Sequence, residues 1–506
     1  MLRTLRLTLA AISFTLVTLL FLDFSGTLHA WLGWLAKIQF VPAILALNVG
    51  VVLFLVLLTL ILGRVYCSVI CPLGIFQDLF ARAGRIGKKL PYSYSPAKRW
   101  LRYGFLALFV VAIAAGVSVI VALLDPYAAY GRIANNFFLP VWQWGNNLLA
   151  FAAERANSYA FYNVDVWVKS IPTMVVAAVT LVVVVVLAWK NGRTYCNTIC
   201  PVGTLLGVLS RYSAFKIMID ESSCNSCGLC ARHCKAACID SKTHAIDYTR
   251  CVACMSCIGK CKKDALSFRY AYARKQEAPQ QDTSNACSAN AAQEKRRGFL
   301  SAATLLVATS LKSQIIEKAT DIKMDGGLAD IIDKQAPKRQ TPLTPPGSLN
   351  ARNMKNSCTA CQLCITACPN GVLRPSSQLE TFMQPQMSYE KGYCRPECTI
   401  CSEVCPAGAI TKIGKDDKSA IQIGHAVWNK ETCIPIADNQ PCGNCERHCP
   451  TDAIVMIPSD ANDPESLKVP AVNTERCIGC GACEHLCPSR PVSAIYVEGH
   501  ELHKTI

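Results

Sequence analysis

Thirty cysteines in 506 residues constrain this chain more than any other feature, and twenty-four of them fall into six groups of four. The groups are Cys224, Cys227, Cys230 and Cys234; Cys251, Cys254, Cys257 and Cys261; Cys358, Cys361, Cys364 and Cys368; Cys394, Cys398, Cys401 and Cys405; Cys433, Cys442, Cys445 and Cys449; and Cys477, Cys480, Cys483 and Cys487. Most read C-x2-C-x2-C-x3-C, the spacing of iron–sulfur ligation. Zinc ribbons use two separated C-x2-C pairs that close one tetrahedron, which three cysteines at two-residue gaps do not suit. Disulfide frameworks belong to small secreted domains, and this chain is long. The pattern predicts six [4Fe–4S] clusters with these cysteines as iron ligands, in a chain that moves single electrons.

The length admits two to four domains. About half of the chain is hydrophobic, and the apolar runs sit in the first 190 residues. A formal charge of +16 would ordinarily suggest nucleic acid. Each oxidised cluster with four thiolates carries about −2, which that count ignores. Much of the remaining basic excess flanks apolar segments. Nucleic acid is therefore excluded as a partner.

Ala43–Leu62, Gly104–Leu124 and Thr173–Trp189 have the length and composition of membrane spans, and Leu7–Leu22 is a fourth candidate. Leu7–Leu22 also resembles a signal peptide. A retained helix is favoured, because no small-x-small cleavage site directly follows it. The loop between the second and third spans holds Arg64, Arg82, Arg85, Lys88, Lys89, Lys98, Arg99 and Arg102, while the neighbouring loops are poor in Lys and Arg. That asymmetry puts the basic loop, and both ends of the helical domain, in the cytoplasm. Trp31, Trp34, Trp142, Trp144 and Trp167 fall in the outer loops, as interfacial anchors do.

A repeat lies at two span ends. Residues 63–74, GRVYCSVICPLG, match residues 192–203, GRTYCNTICPVG. Repeats in membrane proteins bring their motifs together about a pseudo-symmetry axis. That would gather Cys67, Cys71, Cys196 and Cys200 as a cluster site or as two redox dithiols. Four structural cysteines are the plainer alternative. None of the eight histidines lies inside a span, and no C-x2-C-H occurs, so the chain carries no haem motif. Asp23 and Asp125, at span ends, read either as proton acceptors or as interface caps. No glycine fingerprint for NAD or flavin appears.

The expected fold is multidomain: an α-helical membrane domain of about four transmembrane helices, plus two ferredoxin-like α+β iron–sulfur modules. Residues 1–212 form the membrane domain and 213–272 a two-cluster ferredoxin with a first strand at Phe215–Ile219. In such a ferredoxin the fourth cysteine of each run crosses over. One cluster then takes Cys224, Cys227, Cys230 and Cys261, and the other Cys251, Cys254, Cys257 and Cys234. Cys238 and Cys287 are spare. Lys235 and Lys262 stand where proline usually follows the fourth cysteine, and their charge favours the reduced state.

Residues 273–350 are a linker, polar at first and proline-rich from 321 to 353 at its end. Within it, 295–312 carries Arg296-Arg297-Gly298-Phe299-Leu300 and an apolar run, like a twin-arginine export signal. Residues 351–500 hold the last four groups, each closing in Cys-Pro. Spacing leaves the pairing of these groups open.

These parts, in this order, resemble NapH-type and NapG-type ferredoxin subunits fused head to tail. The first 270 residues are similar to the membrane subunit NapH and about 295–490 to the four-cluster subunit NapG. The methylamine-utilisation ferredoxins MauN and MauM, and the membrane parts of NosR-type and CcoG-type proteins, are also similar. The resemblance implies an electron-transfer subunit of a quinol dehydrogenase-type complex in the bacterial inner membrane. Its first ferredoxin would be cytoplasmic and its C-terminal module periplasmic. Its partners would be the membrane quinone pool, as substrate, and a periplasmic reductase such as a nitrate reductase, or a cytochrome. The alternative is a redox maturation factor that reduces a metal or a disulfide, as in methylamine-utilisation or copper-oxidase assembly.

Overall fold

The computed structural model describes residues 2–24, 26–85, 92–156, 158, 160–272 and 332–505. The twin-arginine-like segment at 295–312 and Cys287 lie outside these. The helical part comprises α1 (Leu2–Leu22), α2 (Phe40–Leu45), α3 (Val49–Leu62), α4 (Pro72–Ala83), α5 (Arg99–Ala114), α6 (Ser118–Leu124), α7 (Pro126–Ile133), α8 (Leu139–Arg155), α9 (Ile171–Asn191) and α10 (Pro201–Ser210). By length and composition α1 and α9 could each cross a membrane. The β-branched run Val182–Val186 disfavours helix in water. In apolar surroundings the helix is the way to satisfy the backbone within one segment.

Two of the expected spans are not continuous helices. Ala43–Leu62 is interrupted between α2 and α3, and Gly104–Leu124 between α5 and α6. Both breaks are Schellman closures. At the first, Leu47 takes φ 52°, Leu47 N bonds to Ile44 O at 3.0 Å and Asn48 N to Ala43 O at 2.9 Å. At the second, Gly116 takes φ 68°, Gly116 N bonds to Ile113 O at 3.2 Å and Val117 N to Ala112 O at 2.8 Å. Asn48 then starts α3 by accepting from Val51 N at 3.3 Å. Hydropathy runs smoothly through both closures, which is why a window of apolar residues does not register them.

The strands form two-stranded antiparallel sheets among the described residues. In the first ferredoxin, β1 (Phe215–Ile219) pairs with β2 (Leu266–Tyr270), from Phe215↔Tyr270 to Ile219↔Leu266. In the C-terminal module, β3 (Ile421–Trp428) pairs with a last strand, Ile495–Thr505, and Ile454–Asp460 pairs with Asp463–Val472. The first two of these sheets each bring the start and end of a cysteine-rich stretch together, and the third is a hairpin between the last two cysteine groups.

Residues 1–272 and 335–506 belong to one compact unit. Most of 335–350, expected as linker, is packed into it: Leu343 and Ser348 are buried, and Arg339 Nη2 donates to both carboxylate oxygens of Glu484 at 2.5 and 2.7 Å. The C-terminal module rests on both helix breaks. A Cβ on Gly408 would lie 3.6 Å from Ala46, and one on Gly116 would lie 3.2 Å from Asn356. Between α7 and α8 the chain makes a π-helical turn, Ala134–Phe138. There Asn135 donates to Gln362 at 3.0 Å and accepts from Thr366 at 3.0 Å. Trp167 receives the Arg374 guanidinium 4.6 Å from its ring centre.

Candidate iron–sulfur nests

The C-x2-C-x2-C loops share one backbone device. In four of the six groups the residues just before and just after the second cysteine both have positive φ: Ser226 and Gly228, Ala253 and Met255, Ala360 and Gln362, Gly479 and Gly481. Left-handed residues curl the backbone so that its N–H groups point into a concavity suited to an anion. A second turn follows the fourth cysteine. The third residue beyond it is left-handed at Ala237, Asp264, Gly371, Gly408 and Asp452. The amides then meet sulfur: Ala360 N donates to Cys358 Sγ at 3.4 Å, Ile410 N to Cys405 Sγ at 3.5 Å and Ala453 N to Cys449 Sγ at 3.3 Å.

Three thiols from one group and one from its neighbour line each nest. One concavity is lined by Cys224, Cys227, Cys230 and Cys261, and another by Cys251, Cys254, Cys257 and Cys234. In the C-terminal module, Cys394, Cys398, Cys401 and Cys368 line a third; Cys433, Cys442, Cys445 and Cys487 a fourth; and Cys477, Cys480, Cys483 and Cys449 a fifth. Cys358, Cys361 and Cys364 gather with Cys405. Sequence neighbours therefore share nests in pairs, the question that spacing left open. The two pairs of the C-terminal module abut, with Cys394 N bonded to Cys480 O at 2.9 Å.

Donor chemistry tests whether these nests suit iron. Among the described residues no three Cys, His, Asp or Glu side chains converge on one point, as a single ion would need. The thiols instead ring a space. Burial pushes the thiols of Cys361, Cys445 and Cys480 up to about 12. Alone they would stay protonated at neutral pH, whereas iron competes for the thiolate directly. A [4Fe–4S] group fits this donor set, and it would supply one-electron storage. Cys238, counted as spare, is buried with its sulfur 3.5 Å from that of Cys234. Lys235 is ion-paired to Asp78 at 3.1 Å, so part of its charge is answered from α4.

The repeated motif builds a further nest. Cys67, Cys71, Cys196 and Cys200 are mutual neighbours, each 4% exposed. Two equivalent arginines clamp them crosswise. Arg64 of the first copy donates to Cys196 O at 3.3 Å, and Arg193 of the second donates to Cys67 O at 2.6 Å. Both guanidinium groups are fully buried. The equivalent glycines make room for them: a Cβ on Gly74 would lie 2.9 Å from Arg193, and one on Gly203 would lie 2.8 Å from Arg64, each colliding with a cysteine carbonyl. Arg64 also reaches the first ferredoxin, donating to Thr249 O at 3.1 Å.

The two aspartates expected at span ends both act as caps. Asp23 accepts from the backbone N–H groups of Gly26, Leu28 and His29 and pairs with His29 Nδ1 at 2.8 Å. Asp125 caps α7, accepting from Tyr127 N and Ala128 N at 3.1 and 3.2 Å. Sequence reasoning missed the arginines of the repeat as functional residues. Their signal was present, because Gly-Arg opens both copies.

Comparison with known proteins follows the same anatomy. The 4Fe-4S binding domain family matches residues 44–91 and again residues 172–219, the two repeat copies. The 4Fe-4S dicluster domain family matches residues 440–490. The ferredoxin-type protein NapF of Escherichia coli K12 is 26% identical over 184 residues, covering all of that protein and 35% of this chain. The methylamine utilization ferredoxin-type protein MauM of Methylophilus methylotrophus is 30% identical over 183 residues, 33% of this chain and 75% of that protein. MauM of Paracoccus denitrificans is 30% identical over 190 residues, 34% of this chain and 78% of that protein. No solved structure matches the chain. Through about a third of its length, this iron–sulfur electron-transfer protein belongs to the family of ferredoxin-type MauM proteins.

Proposed function

We propose that this chain is a membrane-embedded electron conduit that takes electrons from quinol and passes them singly through six [4Fe–4S] clusters to an external redox partner. In this reading it combines the roles of a NapH-type and a NapG-type subunit, and a periplasmic reductase or cytochrome accepts the electrons. The observation that carries it is the set of six nests, each built from three thiols of one group and one of its neighbour.

Membrane embedding rests on a second observation. Leu53, Phe54, Leu57 and Ile61 of α3, and Val175, Val179, Val182, Val183 and Val186 of α9, face outward and exposed. Monomeric soluble proteins rarely expose contiguous apolar surface of that kind. With α1 and α9 as full spans and α3 and α5 as shorter ones, the helical part sits in lipid as a multi-pass domain. In this reading the first ferredoxin is cytoplasmic, which the basic loop supports, and the C-terminal module, seated on the helix breaks, is periplasmic.

The maturation-factor reading needs thiols that a partner can reach. Burial of Cys67, Cys71, Cys196 and Cys200 disfavours disulfide exchange with another protein. It favours a further cluster in that nest. The test is direct. Anaerobically purified full-length chain should contain about four iron and four labile sulfide per nest. Added menaquinol or ubiquinol should bleach its visible absorbance in proteoliposomes. Absence of labile sulfide ends the reading. Clusters that no quinol reduces would shift it to the maturation role.

A further inference from the structure

Arg132, on the last turn of α7, is fully buried, and none of its three guanidinium nitrogens has a hydrogen-bond partner. The other buried arginines keep at least one: Arg6 bonds to Ser68 O, Arg64 to Asn197, Arg102 to Thr249, Arg193 to Asp78 and Arg250 to Asp247. A bare guanidinium away from water is costly unless an anion answers it. The ionisable groups acting on Arg132 are Asp125, Tyr195 and Cys361. Asp125 is engaged by the N–H groups it caps and makes no bond to Arg132.

The neighbouring residues bind the same turn to the Cys361 loop. Gly131 packs so closely that a Cβ there would lie 2.5 Å from Cys361 O. Asn136 donates to both Arg132 O at 2.8 Å and Gln362 at 3.4 Å. Arg132 is thus fixed beside a nest in which Cys361 and Cys364 are buried and whose bound group would carry net negative charge.

We propose that Arg132 is a counter-charge for the cluster bound by Cys358, Cys361, Cys364 and Cys405 and tunes its reduction potential. This rests on the iron–sulfur reading above. Reduction adds one electron and no proton, taking the group and its thiolates from about −2 to about −3. A fixed cation in a poorly screened site stabilises the more negative state. Arg132 therefore raises the potential and makes this cluster a ready acceptor.

The experiment is potentiometric titration, read by paramagnetic resonance, of anaerobically purified full-length protein. Its variants are Arg132→Gln, Arg132→Lys and Asp125→Asn. Asparagine still caps a helix, so Asp125→Asn removes charge with little structural cost. In Arg132→Gln the reduced-to-oxidised ratio of one component, the one that Cys364→Ser abolishes, should fall about tenfold at fixed ambient potential, a shift of about 59 mV. Arg132→Lys should restore most of it, and Asp125→Asn should move it the other way. The remaining components should stay in place. An unmoved midpoint in Arg132→Gln, or equal shifts in Arg132→Gln and Arg132→Lys, overturns the role. Should Arg132→Gln fail to assemble, an unmoved midpoint in Asp125→Asn overturns it instead. Wild-type protein without labile sulfide would overturn the reading beneath as well.

Discussion

Residues 63–74 and 192–203 share a motif but not its surroundings. Within the nest they are near mirror images: arginine to the opposite cysteine carbonyl, glycine beneath the arginine, proline starting the next helix. Outside it they diverge. Arg193 is held by the Asp78 carboxylate at 2.8 Å, and Asp78 also gathers Lys235 and Arg6. Arg64 meets no carboxylate among the described residues: it donates to the side chain of Asn197 at 2.8 Å, to the carbonyls of Thr249 and Cys196, and to the Cys67 sulfur at 3.8 Å. The position equivalent to Asp78 is Gly207, where a Cβ would lie 2.9 Å from Arg102, which takes the neighbouring place against Thr249. The contrast separates what the motif needs from what its location adds. The crossed clamp belongs to the nest, and the carboxylate belongs to the place where the first ferredoxin meets α4.

Substitutions can break or sharpen that comparison. The largest effect should come from the shared part. Gly74→Ala and Gly203→Ala each drive a methyl into backbone carbonyl and guanidinium, so both should lose about 3 kcal/mol or more. Thermal unfolding in detergent would show it, and a tolerant Gly203 would mean the copies are not equivalent.

Next comes the unshared carboxylate. Burial pushes Asp78 upward, but Arg193, and after it Lys235 and Arg6, outweigh this and hold the carboxyl well below its ordinary range. Its contribution is present above the unfolded value near 4 and fades only as pH falls below that. Asp78→Asn should cost about 3 kcal/mol, equally at pH 6 and pH 8, because it leaves buried charge unanswered. Asn197→Ala, on the neutral side, should cost about 1–2 kcal/mol. Equal losses would erase the distinction.

The smallest difference is expected between the thiols. Cys67→Ser and Cys196→Ser should lower iron content alike, by about four per chain if the nest binds a cluster. Unequal losses by metal analysis would mean that only one copy ligates.

Ligand chemistry was legible in this chain because cysteine spacing encodes it locally. The crossover of fourth cysteines and the strand at Phe215–Ile219 follow from the same local pattern. Architecture was less so. The helix breaks at Leu47 and Gly116 hide within unbroken hydropathy, though Asn48 and Gly116 carried the signal. The proline-rich stretch before Asn350 resembles a linker by composition, yet Leu343 and Arg339 bury it by contacts that only the tertiary structure supplies. Arg132 is the extreme case. Nothing adjacent in sequence marks it, because its neighbour Cys361 lies more than two hundred residues away.

The two Schellman closures have a consequence for the proposed lipid setting. They leave α3 with 14 residues and α5 with 16, about 21 and 24 Å of helix against a hydrocarbon slab of about 30 Å. Such short segments draw the surrounding lipid inward by mismatch. The insulating layer an electron must cross would then be thinnest where this protein sits.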